Sequence, residues 1–386
     1  MRKKAILMSV LMASCLATHA EDDYEEGFLT SYLNHYLERA MQKDSVNSPN
    51  DENLKYGRHL SDFMSAPKFG GHIIAKYSYS DLKGSHGGDG FDARQVRAHV
   101  TGTILNDFKY RVQIELKGTP SMRDYTLEWT HWDEFHIKLG QFKRGFSYEN
   151  PIGPWGAEIG EFSQITRKFC ATGTSDYSGE TAQTGRDIGI QVSGDILPVG
   201  TDHHRLFRYQ AAIHNGNGQN TKDNNGKKDF IGSIHIQPIK DLYLGFFGWD
   251  GNYTKDNVTV DRKRWSVGAN YVHKDWTVRA EYAHHKGHRL SDYDAATNTW
   301  TGKAKADAWY MMVGIPVTQW FKTFLKYDVY RGDYTNSTAT SIYSFCNNFN
   351  LHRNLVFQLQ YNYVNDRSNP SDKNHNEIWT EIWVRF

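Results

Sequence analysis

From residue 69 to the C-terminus, apolar residues recur at every second position. Val96, Ala98, Val100, Gly102 and Ile104 alternate with Arg97, His99, Thr101 and Thr103. Tyr110, Val112, Ile114 and Leu116 alternate with Lys109, Arg111, Gln113 and Glu115, and Leu355, Phe357, Leu359, Tyr361 and Tyr363 with Val356, Gln358, Gln360 and Asn362. A period of two means strands with one apolar and one polar face. Many of these stretches span 10–14 residues. That exceeds the usual soluble strand of about 5–6 residues and approaches the length a tilted strand needs to cross a bilayer. Sixteen segments are predicted, near 69–80, 92–105, 108–117, 122–132, 134–143, 185–196, 204–215, 227–238, 241–250, 262–273, 275–286, 304–316, 319–332, 339–350, 353–364 and 375–386.

The last segment is expected to close the sheet. Counting back from Phe386, Val384, Ile382, Thr380 and Ile378 form a mostly apolar face, while Arg385 and Glu381 lie on the other. Pairing this strand with the first would remove both edges, which a sheet in lipid requires. The connections separate by parity. Even-numbered ones are mostly tight, such as Asn106-Asp107, Asp133, Ile239-Lys240 and Lys274. Odd-numbered ones are generally longer, at 81–91, 144–184, 216–226, 251–261, 287–303, 333–338 and 365–374. The short turn Gly118–Met122 and the longer 197–203 are the exceptions. Short turns on one side and long loops on the other mark an outer-membrane barrel, with both termini on the periplasmic side. The expected fold class is all-β, a 16-stranded antiparallel transmembrane β-barrel.

The first 68 residues differ. Arg2, Lys3 and Lys4 precede an apolar run to Ala17, and Thr18-His19-Ala20 offers small residues at the cleavage positions. A secretory signal peptide is expected over 1–20. A lipoprotein-type box at Met12-Ala13-Ser14-Cys15 lacks the usual leucine. Residues 21–68 are expected to be a periplasmic extension. Leu29, Leu33, Tyr36, Leu37 and Ala40 fall at helical spacing, so a short N-terminal periplasmic helix near 28–42 is predicted, either loosely held or used for oligomerisation. The barrel domain is expected over 69–386.

Composition agrees. Aromatics are 14% of the chain, including 23 Tyr and 11 Trp, as interfacial girdles need. Mean hydropathy is −0.68, and past the N-terminus there is no apolar run of 18 residues, so a helical membrane protein is excluded. Losing Arg2, Lys3 and Lys4 takes the formal net charge from +1 to −2. The remaining Cys170 and Cys346 read as two unpaired thiols rather than a disulfide framework.

Sixteen strands enclose more volume than side chains fill, which implies an aqueous channel. The longest loop, 144–184, carries Pro151, Pro154 and several glycines, yet it is rich in apolar residues: Phe146, Ile152, Trp155, Ile159, Phe162, Ile165 and Phe169. It is expected to fold inward and narrow the pore rather than face outward.

Several stretches resemble one family. They are Ala93-Arg94-Gln95-Val96-Arg97-Ala98 through Gly102-Thr103-Ile104-Leu105-Asn106-Asp107-Phe108-Lys109-Tyr110, and Asp124-Tyr125-Thr126-Leu127-Glu128-Trp129. Leu139-Gly140-Gln141-Phe142-Lys143, Gly185-Arg186-Asp187-Ile188-Gly189 and His214-Asn215-Gly216-Asn217-Gly218 follow, with weaker echoes at Arg279–Tyr282 and Lys326–Asp328. Over 69–386 the chain resembles the phosphate-selective porin O/P family. The resemblance implies a homotrimeric outer-membrane channel with an inward-folded third extracellular loop, in some members selective for anions or phosphate through basic lumen residues.

The chain's own basic candidates for the pore lining and for anion binding are Arg97, Lys109, Arg111, Lys138, Arg279 and Lys326 on inward registers. Lys143, Arg144, Arg167, Lys168 and Arg186 flank or lie within the long loop and are expected to line the constriction. Lysine and arginine rings select anions. Glu115, Asp124, Glu128, Glu281, Asp328 and Glu381 share the inward register, so ion-paired walls compete with a selectivity ladder. A sugar channel would instead need an aromatic track, for which Trp155, Tyr148 and an inward Trp309 are the candidates. An adhesin with a plugged pore is a further alternative. A barrel enzyme is disfavoured, because G-x-S-x-G is missing. No cofactor or metal is expected. His203-His204 and His284-His285 point to opposite strand faces, and Asp223-Asn224-Asn225-Gly226 is turn chemistry.

Overall fold

The computed structural model describes residues 64–82, 89–181, 184–369 and 373–386. The signal peptide and the 28–42 helix lie outside them. Among the described residues there are eighteen strands: β1 (Lys68–Ser80), β2 (Gly90–Ile104), β3 (Phe108–Glu115), β4 (Ser121–Trp132), β5 (Phe135–Lys143), β6 (Arg186–Val199), β7 (His204–His214), β8 (Asp229–Ile239), β9 (Leu242–Lys255), β10 (Val258–His273), β11 (Trp276–Lys286), β12 (Tyr293–Asp294), β13 (Thr299–Trp300), β14 (Lys305–Pro316), β15 (Phe321–Arg331), β16 (Ala339–His352), β17 (Leu355–Asp366) and β18 (Asn374–Arg385). Sixteen of them form one closed antiparallel barrel, and β12 and β13 pair separately within a loop. Closure runs through β1 and β18, with Ile73 opposite Val384, Ala75 opposite Ile382 and Tyr77 opposite Thr380. The Phe386 N–H donates to Gly71 O at 3.1 Å, and the Gly71 N–H donates back to Phe386 O at 3.0 Å.

The alternation in sequence becomes two surfaces. On β9, Leu244 and Phe246 are exposed, whereas Phe247 and Trp249 are buried in the lumen. On β18, Ile378, Ile382 and Val384 face out, and Glu381 and Trp383 are buried inside. Aromatic rings gather near both ends of the outer wall. Trp309, Tyr327, Tyr343 and Tyr363 follow one another at 5.0, 4.6 and 6.1 Å between centroids. Near the short turns, Phe321 stacks on Phe349 at 4.8 Å, and Trp320 sits beside both. These are the two interfacial girdles that such a barrel needs.

Two connections differ from the sequence reading. Residues 251–261 are not a long loop. β9 and β10 continue upward and meet at Asp256-Asn257, with φ of 51° and 63°. Two left-handed residues are what a tight hairpin turn requires, and aspartate and asparagine tolerate that geometry. Residues 197–203 are shorter than expected, because β6 runs to Val199. β9 and β10 read short in the sequence because polar residues such as Asn252, Thr254 and Lys255 interrupt the alternation where they leave the hydrocarbon, and β6 because Leu197, at φ 59°, and Pro198 break it. Below β1, the Ser65 N–H donates to Thr103 O at 3.0 Å, so the sheet begins slightly before the expected boundary.

Candidate functional site

The long loop is a strap folded into the barrel. Phe146, Ile165, Phe169 and Cys170 are fully buried. They meet Phe247, Trp249, Tyr310, Met312 and Phe324 from the walls of β9, β14 and β15. A helix, α1 (Gln164–Cys170), forms inside the strap. Ser163 caps it, with its Oγ accepting from Thr166 N, and Asp328 Oδ2 accepts from Gln164 N at 2.9 Å. Ala171 ends it in the left-handed region at φ 54°. The helix lies where the wall is thin: Ala283, Ala306 and Ala308 are fully buried and leave room for it. The apolar residues of this loop therefore exist to cover one side of a polar lumen. Cys170 and Cys346 are both buried, free thiols.

Behind the strap runs a buried charge network. Arg144 reaches Glu180 at 3.0 Å and Asp187 at 2.9 Å. Arg262 reaches Glu180 at 2.7 Å and Asp229 at 3.3 Å, and Arg264 reaches Asp176 at 2.7 Å. Trp249 lies among these guanidiniums, 4.4 Å from Arg264 and 5.0 Å from Arg144. Its indole N–H donates to Asp229 at 2.9 Å. Further along, Arg279 pairs with Glu158 at 2.7 Å, and Lys326 donates to Glu161 O at 3.0 Å. This network fastens both limbs of the strap to β8, β10, β11 and β15.

The strap packs against β8 to β16 and, apart from a cavity of about 290 Å³ between Trp155 and β16 to β18, leaves its space along β18 and β1 to β7. Two cavities lie there. The larger, about 870 Å³, is bordered by residues near the short turns, including Lys68, Lys109, Arg111, Lys138 and Arg385. The smaller, about 250 Å³, is bordered by Lys76, Arg94, Arg97, Arg123 and Arg167 toward the long-loop end. Lys143 and Arg186, directly opposed across β5 and β6, border both cavities and mark where the two adjoin. Each cavity has seven lysine or arginine side chains and two carboxylates: Asp124 and Glu128 below, Glu115 and Glu161 above. With the shared pair counted once, twelve bases face four acids.

The acids are drawn elsewhere. Glu149, Asp176, Glu180, Asp229, Glu281 and Asp328 are buried among the strap and the opposite wall, while Asp187 on β6 is held by Arg144 and Glu381 on β18 by Arg94. Along the passage some bases are paired: Arg97 with Glu115 at 2.7 Å, Arg186 with Asp124 at 2.7 Å, Arg111 with Asp124 at 3.3 Å, Lys138 with Glu128 at 3.0 Å and Arg167 with Glu161 at 2.7 Å. Others stand without one. Among the described residues no carboxylate lies within 4.0 Å of Lys68, Lys76, Lys109, Lys143 or Arg385. Lys143 Nζ instead donates to Ile152 O at 2.7 Å and lies 5.1 Å from the Phe162 ring.

Two lumen arginines are placed by β-bulges. On β2, Gln95 pairs with Ile74 and Ala93 with Ala75, so Arg94 is the extra residue. On β4, Asp124 pairs with Gln113 and Met122 with Ile114, so Arg123 is the extra residue. A bulge lets a residue of the outward register turn inward. Arg94 meets Glu381 at 2.9 Å, and Arg123 meets Glu115 at 3.6 Å. A strict period of two assigns both residues to lipid, and the sequence reading therefore missed them.

Of the sequence candidates, Arg97, Lys109, Arg111, Lys138, Lys143, Arg167 and Arg186 border the two cavities. Arg144, Arg279 and Lys326 belong to the fastenings behind the strap. Lys168 lies on α1, 5.5 Å from the Tyr330 ring, and burial, with Arg167 beside it, pulls its ammonium below the ordinary lysine range. Lys68, Lys76 and Arg385 also border the passage and sit on inward registers that the alternation could have revealed. The aromatic track does not assemble. Tyr148 is bonded to the wall at Tyr243 O and Gly268 O. Trp309 is not inward but shares the outward register with exposed Met311, while its neighbours Ala308 and Tyr310 fill the lumen. Of the three track candidates Trp155 borders the larger cavity, beside Tyr110 and Phe142, with Arg385 over its ring at 4.8 Å.

Comparison with known proteins agrees with this geometry. Residues 70–240 match the model of the family described as phosphate-selective porin O and P. No curated protein sequence matches the chain significantly. Among solved structures, the outer-membrane channel DcaP of Acinetobacter baumannii superposes with a TM-score of 0.60 at 11% identity, covering 86% of this chain and 99% of that one. The trimer form of the Vibrio cholerae outer-membrane protein OmpT gives 0.57 at 12% identity, covering 84% and 100%. Salmonella typhi OmpF, in complex with daunomycin, gives 0.56 at 12% identity, covering 83% and 97%. At such identities these likenesses speak to the fold. The closed barrel, its internal strap and the family match over β1 to β8 mark the chain as an outer-membrane porin, a channel for passive diffusion, whose residues 70–240 match the model of phosphate-selective porin O and P.

Proposed function

We propose that this porin favours small anions, phosphate among them. The observation that carries the proposal is the partition of charge: twelve bases and four acids border the passage, while most of the remaining lumen carboxylates are sunk behind the strap. Basic side chains around a narrow aqueous path lower the energy of an anion and raise that of a cation. Where the two cavities adjoin, Arg97, Arg123, Lys143 and Arg186 outnumber Glu115 and Asp124. Arg97 and Arg123 share the single carboxylate of Glu115, at 2.7 and 3.6 Å, so the group of three keeps a net positive charge beside the passage. Neither arginine can lose its charge at physiological pH.

The protein is also read as a homotrimer, as the family resemblance and the trimeric OmpT relative suggest. Liposome swelling tests the solute class. Sugar phosphates should enter faster than neutral sugars of equal size, and amino sugars more slowly. Equal rates for all three would refute anion preference. A fastest rate for neutral sugars would favour a sugar channel.

A further inference from the structure

Outside the lumen, three lysines stand side by side on the lipid-facing wall. Lys263 of β10 is directly opposite Lys286 of β11, and Lys286 is directly opposite Lys305 of β14. All three are exposed and share the outward register with Trp265, Val278 and Met311. Strand neighbours are about 4.8 Å apart, so three ammonium groups crowd into one row. Like charges directly opposed across strands repel. No ion pair forms within the row: among the described residues no carboxylate lies within 4.0 Å of any of the three. The nearest acids lie at the margin: Asp250 is opposite Lys263 on β9, and Asp261 is two residues above it. Asp307, in the row below, is already bonded to Arg331 and to the Tyr282 hydroxyl.

Height on the wall narrows the choice of ligand. The row below the lysines holds Trp265 opposite His284, and Tyr282 opposite Trp309 follows beneath it. One outward step along a strand is about 7 Å, which places the lysines just above the aromatic girdle on the long-loop side. That is the headgroup layer of the outer leaflet. Below the row the wall is apolar and exposed at Val267, Val278 and Met311. A ligand with a phosphate at the lysine row and acyl chains along this wall satisfies both surfaces, which a free anion does not.

We propose that Lys263, Lys286 and Lys305 bind the phosphate of a phosphorylated lipid of the outer leaflet. A bridging phosphate, with its charge and three acceptor oxygens, turns the mutual repulsion of the row into shared attraction. The site is separate from the passage and from its selectivity.

The test is native mass spectrometry of the purified full-length protein in detergent, titrated with diphosphoryl lipid A, its fully dephosphorylated form, or inorganic phosphate. Wild type should retain diphosphoryl lipid A and bind the dephosphorylated lipid at least tenfold more weakly. Inorganic phosphate should not displace the lipid. Each lysine near a membrane surface contributes about fivefold in affinity, so K263Q/K286Q/K305Q should weaken binding on the order of a hundredfold. K286Q alone should weaken it about fivefold, which keeps the test open if the triple variant folds poorly. The arginine variants K263R/K286R/K305R should retain binding, and so should K227Q/K240Q/K274Q, which removes three exposed lysines elsewhere. Single-channel conductance should not change in any of them. Undiminished lipid binding by folded K263Q/K286Q/K305Q, or equal binding of the dephosphorylated lipid, overturns the proposal. So does displacement of the lipid by inorganic phosphate.

Discussion

Neutralising Lys143 should weaken anion preference more cleanly than any other single change. It borders both cavities, and no carboxylate depends on it, so its removal leaves no buried acid unpaired. Arg186 is a poorer choice, because Asp124 would lose its 2.7 Å partner. In water a unit charge about 5 Å away contributes about 0.8 kcal/mol. Losing it raises an anion's barrier by that amount and lowers a cation's by the same amount. K143A should therefore shift the anion-to-cation permeability ratio roughly tenfold, and K143E on the order of a hundredfold, less where salt screens the site. Where the two cavities adjoin, the glutamate substitution takes four bases against two acids to three against three. The assay is the reversal potential of K143A and K143E channels under a KCl gradient, beside the unchanged protein. A ratio the same in all three would refute Lys143 as part of the selective path. A change in conductance without a change in ratio would show that the loss of its bond to Ile152 O loosened the strap and nothing more.

The remaining expectations concern the bulges, the fastenings and the core. R94Q and R123Q should each lower anion preference while the strap stays in place, and conductance with ion selectivity checks this. R262A should free the strap, because Glu180 and Asp229 lose a fully buried partner. The expected cost is about 3–5 kcal/mol, read as a lower unfolding temperature together with larger, noisier single-channel currents. F169A removes a fully buried ring from the strap core and should destabilise the fold by about 3–5 kcal/mol in urea titration. Cys170 and Cys346 should resist a thiol reagent in the folded channel and react fully once it is denatured, since both are fully buried.

The barrel itself was legible in the sequence because a wall between lipid and lumen imposes a period of two on every strand. Val384, Ile382 and Ile378 announced the closing strand, which pairs with β1. The inward strap was legible from Phe146, Ile165 and Phe169, which had no reason to face water. The helix within it was not, since seven residues are too few for a helical period to stand out. β9 and β10 rise past the hydrocarbon, where alternation no longer distinguishes two faces, and their hairpin read as a loop. Arg94 and Arg123 were hidden because a bulge breaks the alternation used to assign faces. Charge partition was hidden for a different reason. Glu281 and Arg97 occupy the same inward register, and only the strap puts one behind a partition and leaves the other beside the passage. The net charge of the whole chain says nothing about that division.

The reversal potential of the purified channel in a planar bilayer, under a KCl gradient and then with phosphate added, tests the central claim most directly. The charge partition predicts a potential displaced toward chloride, with phosphate reducing the chloride current. A potential near zero or toward potassium, with phosphate without effect, would contradict it.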